Sequence, residues 1–138
     1  MDENMSVELM YNELREQAVE LFDSKEVEII DKAFQLAKRQ HDGQKRSSGE
    51  PYIIHPVAVA KIVLDYGMDY QSVAAAMLHD TVEDTDITLE EVTREFGSDI
   101  AHLVDGLTKL VDIHFENREE ESVENLRKMF LAMHYLNM

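Results

Sequence analysis

Apolar residues recur at steps of three and four along most of this chain, which is the period of a helix, and few runs alternate in polarity as a half-buried strand would. Val7, Met10, Leu14, Ala18 and Leu21 form one such stripe. Ser6 before it suits an N-cap, so a first helix is expected to run to about Phe22. Ser24 suits the cap of a second, whose Val27, Ile30, Phe34 and Ala37 share a face and which has Gly43 as a left-handed stop after His41. The segment from Gly43 to Pro56 reads as a loop, polar at first and turning apolar at Tyr52-Ile53-Ile54 as it returns to the core. Pro56 suits the first position of a third helix, with His55 at or near its N-cap and Gly67 at its end. Asp69 caps a fourth. Thr88-Leu89-Glu90-Glu91 has the spacing of a capping box for a fifth that stops at Gly97, and Ser98 or Asp99 begins a sixth through Ile100, Leu103, Val104 and Leu107. Gly106 inside that helix is less favourable than Ala by about 1 kcal/mol, which close approach of a neighbour would explain. A strongly acidic stretch from Glu116 to Glu124 precedes a last helix with Val123, Leu126, Phe130 and Met133 on one face. The expected fold class is all-α, a helical bundle forming one domain over residues 1–138.

The fourth helix departs from the amphipathic pattern. Val73-Ala74-Ala75-Ala76-Met77-Leu78 is apolar on every side and leads directly into His79-Asp80-Thr81-Val82-Glu83-Asp84. A helix buried all round would carry those polar groups into the interior, where they must be paired or metal-bound. His55 lies on a different expected helix and can converge on the same point, as a metal site in a bundle requires. Neighbours on a helix diverge by about 100°, so His79 and Asp80 share an ion only if it sits over the edge between them. Two imidazoles and a carboxylate suit Mn, Fe, Zn or Mg. By spacing alone, the same residues also fit satisfied core histidines.

Composition narrows the partners. At 138 residues with no cysteine the chain can build one core without disulfides or thiolate sites, which fits a reducing cytosol. No apolar run approaches the roughly 20 residues of a membrane span, and Met1-Asp2-Glu3-Asn4 lacks a basic leader, so a cytoplasmic protein with no membrane partner is expected. A net charge of −16 disfavours nucleic acid as a partner. Lys38, Arg39, Lys45 and Arg46 nevertheless place 4 of the 13 basic residues within nine positions, a patch where a small polyanion can dock.

Four blocks, taken in order, resemble a known family. They are His41-Asp42-Gly43-Gln44-Lys45-Arg46-Ser47-Ser48-Gly49-Glu50-Pro51-Tyr52-Ile53-Ile54-His55-Pro56, Leu78-His79-Asp80-Thr81-Val82-Glu83-Asp84-Thr85, Gly106-Leu107-Thr108-Lys109-Leu110 and Glu124-Asn125-Leu126-Arg127-Lys128-Met129-Phe130-Leu131-Ala132-Met133. From about Leu9 to Met133 the chain is similar to the N-terminal hydrolase domain of RelA/SpoT-type alarmone enzymes, which are HD-domain phosphohydrolases. The resemblance implies that His55, His79 and Asp80 hold one manganese ion and that Glu83 and Asp84 position and deprotonate the attacking water. It also implies that Arg46 lies over the guanine base, with Ser48 and Lys45 nearby in the nucleotide pocket. The position between Arg46 and Ser48 is often Lys in relatives and is Ser47 here. The implied reaction removes the 3′-pyrophosphate from guanosine tetra- or pentaphosphate. The alternatives are another HD-type nucleotide phosphohydrolase, or a non-catalytic helical fragment that self-associates.

Relatives of this type continue past Leu131-Ala132-Met133 into a segment with a further aspartate ligand and an Asp-Arg-Leu-His-Asn-type helix, whereas this sequence reads His134-Tyr135-Leu136-Asn137-Met138. The expectation is therefore a C-terminally truncated hydrolase domain without the synthetase and regulatory domains. Its last helix would expose Leu126, Phe130 and Met133 and drive homo-oligomerisation, and the domain would hold metal weakly or not at all and show little or no hydrolysis.

Overall fold

The computed structural model describes residues 3–45, 49 and 51–114, with backbone alone at 3–5, 83 and 108–114. Six helices follow in order: α1 (Glu3–Leu21), α2 (Ser24–Gln40), α3 (Ile54–Asp65), α4 (Tyr70–Asp84), α5 (Leu89–Phe96) and α6 (Ser98–His114). Among the described residues the one β-type pairing is an isolated antiparallel bridge between Lys45 and Pro51. The all-α expectation holds. The expected last helix, with Val123, Leu126, Phe130 and Met133, lies outside the described residues.

Helix α4 is the axis of the bundle. It packs against α2, α3 and α6, while α1 covers α2 and α3 and α5 covers α6. Its residues from Ser72 to Thr81 are buried without a break. At about 1.5 Å per residue this helix is some 22 Å long, so a continuous apolar run is what a rod surrounded by neighbours needs. The amphipathic helices turn their stripes toward it: Ile30, Phe34 and Ala37 from α2, Val59, Ala60 and Val63 from α3, and Ile100, Val104 and Leu107 from α6 are all buried. Tyr11 joins α1 to α2 by stacking on Phe34, with ring centroids 3.9 Å apart. Its hydroxyl donates to Asp31, which also accepts from Arg15 Nε at 3.0 Å. Burial first, and that hydrogen bond second, push the Tyr11 phenol far above its ordinary pKa range, so it stays a donor.

Several helix starts differ from the sequence expectation. The first helix begins at Glu3, before Ser6, because the apolar stripe marks a face that packs and not the point where the helical backbone starts. The cap of α2 is Asp23 and not Ser24. Asp23 accepts from Glu26 N–H at 2.9 Å while Glu26 Oε1 accepts from Asp23 N–H at 3.0 Å, a reciprocal capping box that Ser24 cannot make from one position later. Helix α3 begins at Ile54 with Ile53 at its cap, so His55 and Pro56 fall inside the first turn. The N–H groups of Ile54 and His55 reach Pro51 and Tyr52 carbonyls, winding the chain one turn before the proline; Pro56 lacks an N–H where no intrahelical acceptor exists anyway.

Other signals fall where expected. Asp69 accepts from Ser72 N–H at 2.8 Å and Thr88 from Glu91 N–H at 3.1 Å. Gly67 closes α3 at φ 77°, with its N–H on Leu64 and that of Met68 on Val63, the paired bonds of a left-handed helix stop. Since Asp69 fixes where α4 starts, Asp69→Ala is expected to cost about 1 kcal/mol in chemical denaturation; a loss under a few tenths would mean that packing alone sets the register.

The return from α2 to α3 is closed at its base. Gln44 carbonyl accepts Tyr52 N–H at 3.0 Å, directly beside the Lys45–Pro51 bridge. The residues that flank positions 46–50 are therefore paired with each other.

Candidate metal centre

The buried end of α4 and the first turn of α3 meet at His55, His79 and Asp80. One ligand atom from each lies within 4.8 Å of the others. Three donors at about 2.0–2.2 Å from one ion stand roughly 3–4 Å from one another, so side-chain shifts of about an ångström or less complete a shared site. His79 is 1% exposed and Asp80 7%, while His55 forms the outer edge.

Hydrogen bonding fixes how the donors face. His79 Nδ1 sits 2.7 Å from the Ala76 carbonyl, which only accepts, so that nitrogen carries a hydrogen and Nε2 is the ring atom turned to the cluster. That Nε2 stands 3.2 Å from Asp80 Oδ1, and His55 Nε2 stands 3.6 Å from Asp80 Oδ2. Asp80 Oδ2 is also buried and makes no hydrogen bond within the described residues. A buried carboxylate oxygen left in that state costs several kcal/mol. The donor set, the His79 ring orientation and the orphaned oxygen all fit a divalent cation, and nitrogen with hard oxygen suits a borderline ion. Asp105, half-buried on α6, is not among the converging donors.

The two acidic residues beyond the cluster are separated by environment. Asp84 ends α4 exposed to solvent, and its Oδ2 accepts the Tyr52 hydroxyl at 2.6 Å. Glu83 is on the same turn, with its side chain outside the description. Positions 80 and 84 are four apart, so their side chains share one helix face with Cβ atoms about 5–6 Å apart. One turn is room for a water between ligand and acceptor.

The nucleotide-pocket expectations fall mostly beyond view. Arg46 and Ser48 lie outside the described residues. Lys45 is exposed and lines a cavity of about 180 Å³ with Lys38, His41, Gln44 and Ile53. Lys38 is paired with Glu8 there, which removes part of the basic patch that the sequence suggests.

Three residues without an assigned role complete the surroundings. His41 is 2% exposed. Its Nδ1 lies 3.2 Å from Gln44 Oε1 and its Nε2 3.3 Å from the Thr81 hydroxyl. Tyr52 stacks on its ring at 4.7 Å between centroids, 17° from parallel. All three stand in the blocks that carry the family resemblance, and that was their only sequence signal.

Comparisons with known proteins agree with the geometry. The family model described as the HD domain matches residues 33–135. Over 124 residues the chain is 45% identical to guanosine-3′,5′-bis(diphosphate) 3′-pyrophosphohydrolase of Vibrio cholerae, covering 90% of this chain and 18% of that protein. It is 53% identical over 98 residues to the protein of the same name from Haemophilus influenzae, covering 71% and 14%. The bifunctional (p)ppGpp synthase/hydrolase SpoT of Escherichia coli is 44% identical over 108 residues, covering 78% and 15%. The chain thus spans less than a fifth of the length of these relatives.

Proposed function

The chain belongs to the HD-domain family, among its RelA/SpoT-type members, and from that premise we propose that it is a hydrolase domain that removes the 3′-pyrophosphate from guanosine tetra- or pentaphosphate with manganese as cofactor. The observation that carries this reading is the convergence of His55, His79 and Asp80 around a carboxylate oxygen with no hydrogen bond among the described residues. His55, His79 and Asp80 would hold manganese, which when bound would supply positive charge at the site and lower the pKa of a water there.

The chain's own residues do the rest. Asp84 and Glu83, one turn beyond Asp80, orient the attacking water and take its proton as its oxygen bonds to the 3′-phosphorus. The bond from that phosphorus to the ribose 3′ oxygen breaks, pyrophosphate leaves, and the 3′ oxygen takes up the proton that the carboxylate removed from water, which completes GDP or GTP. Asp84 suits the proton-accepting role because it is solvent-facing and already accepts one hydrogen bond on Oδ2, which aims Oδ1 elsewhere. Lys45, with Arg46 and Ser48, offers charge and donors to the nucleotide on an otherwise acidic protein.

Purified protein incubated with guanosine tetraphosphate and manganese is expected to release pyrophosphate and GDP in equal amounts. A chelator should abolish release and added manganese restore it. Hydrolysis of other nucleotides while guanosine tetraphosphate stays intact would place the chain elsewhere in the HD-domain family.

A further inference from the structure

We infer that Tyr52 is a positioning residue that holds the Asp84 carboxylate in place for proton transfer, with the buried ring of His41 as its platform. The inference rests on the hydrolase reading above and adds to it a residue outside the metal ligands and the acidic pair.

Two features single out Tyr52. Its hydroxyl donates to Asp84 Oδ2 at 2.6 Å, bridging the loop return to the last residue of α4, 32 positions away. Asp84 is exposed at a helix end, where a carboxylate otherwise samples several rotamers. The bond occupies one oxygen and leaves the other to act. The Tyr52 ring is itself fixed from behind. It lies nearly parallel to His41, whose 2% exposure leaves no freedom to swing.

His41 is anchored at both nitrogens. Gln44 Oε1 can only accept, so Nδ1 carries the hydrogen, and Nε2 accepts from the Thr81 hydroxyl. Thr81 follows Asp80 directly in the buried part of α4. The chain of contacts Thr81, His41, Tyr52, Asp84 therefore leaves α4 beside the metal ligands and returns to it one turn later. Tyr52 N–H on the Gln44 carbonyl ties the same residue to the base of the 46–50 loop. Loop and carboxylate share one support.

The test compares wild type, Tyr52→Phe, Asp84→Asn and the double variant, with manganese and guanosine tetraphosphate. Phe keeps the ring and its stacking and removes only the hydroxyl. Because a misplacement near 1 Å can cost on the order of 10²-fold in rate, Tyr52→Phe is expected to lower kcat about 10- to 100-fold. KM, manganese affinity and melting temperature should stay near wild type, and the double variant should be no slower than Asp84→Asn alone. A wild-type kcat in Tyr52→Phe, a raised KM with unchanged kcat, or losses that multiply in the double variant would each overturn the positioning role. Should Tyr52→Phe melt lower and lose metal as well, the role is structural and the inference fails. Absence of pyrophosphate release by wild type is a separate outcome that rejects the hydrolase reading itself. His41→Gln, which keeps polar atoms but not the stacking ring, is expected to reproduce the kcat loss.

Discussion

Asp80→Asn is expected to bind manganese about 100-fold more weakly or worse and to lose about 10³-fold in pyrophosphate release, since partners one shell further out already cost 10- to 100-fold and single transition-state donors 10²- to 10³-fold. Stability should change in the opposite sense when metal is withheld. In the metal-free protein Asp80 keeps a buried carboxylate, one oxygen of which has no hydrogen bond among the described residues. The neutral amide removes the charge and can donate to His79, so metal-free Asp80→Asn should melt at or above wild type. Manganese at about 100 times its Kd adds about 2.7 kcal/mol to wild type, close to 10 °C for a domain of this size, and almost nothing to the variant. The curves should cross as manganese is titrated. An equal manganese-induced rise in both proteins would show that the ion binds elsewhere.

Phe34→Ala is expected to cost about 3–5 kcal/mol, a large share of the 5–15 kcal/mol that typical domains possess. Phe34 is fully buried on α2, the platform on which Tyr11 of α1 stacks. Removing the ring leaves a cavity on one side and, on the other, withdraws the surface that orients the Tyr11 hydroxyl toward Asp31. With a urea m-value near 2 kcal/mol/M, the midpoint should fall by about 2 M. Leu21→Ala, at a site 62% exposed, serves as the comparison and should stay within about 0.5 kcal/mol. If the two variants unfolded at similar urea concentrations, the α1–α2 contact would carry little of the stability.

Helix existence was legible because burial imposes a period, and the unbroken run from Val73 to Leu78 identified the one rod with neighbours all round. The same run made it foreseeable that His79 and Asp80 are drawn inward and meet His55. Helix starts were less legible. Burial periodicity says nothing of polar turns such as Glu3 to Ser6, and at the second helix the choice between Asp23 and Ser24 depended on which residue Glu26 could reciprocate. The ring of contacts through His41, Tyr52 and Thr81 was not visible at all. His41 read as a helix end and Tyr52 as part of an apolar return, because their partners lie 40 and 32 positions away and no local pattern encodes such distances.

The pinned base of the 46–50 segment has a bearing on how this domain can evolve. The Gln44–Tyr52 and Lys45–Pro51 pairings hold the two ends whatever lies between them. Lengthening a loop whose ends are already fixed adds only about 0.6 kcal/mol per doubling, and none of the residues anchored in the core has to move. Substitutions can thus accumulate in five positions while His55, His79 and Asp80 keep their convergence, so that the segment and the buried cluster are separately heritable traits of one small bundle.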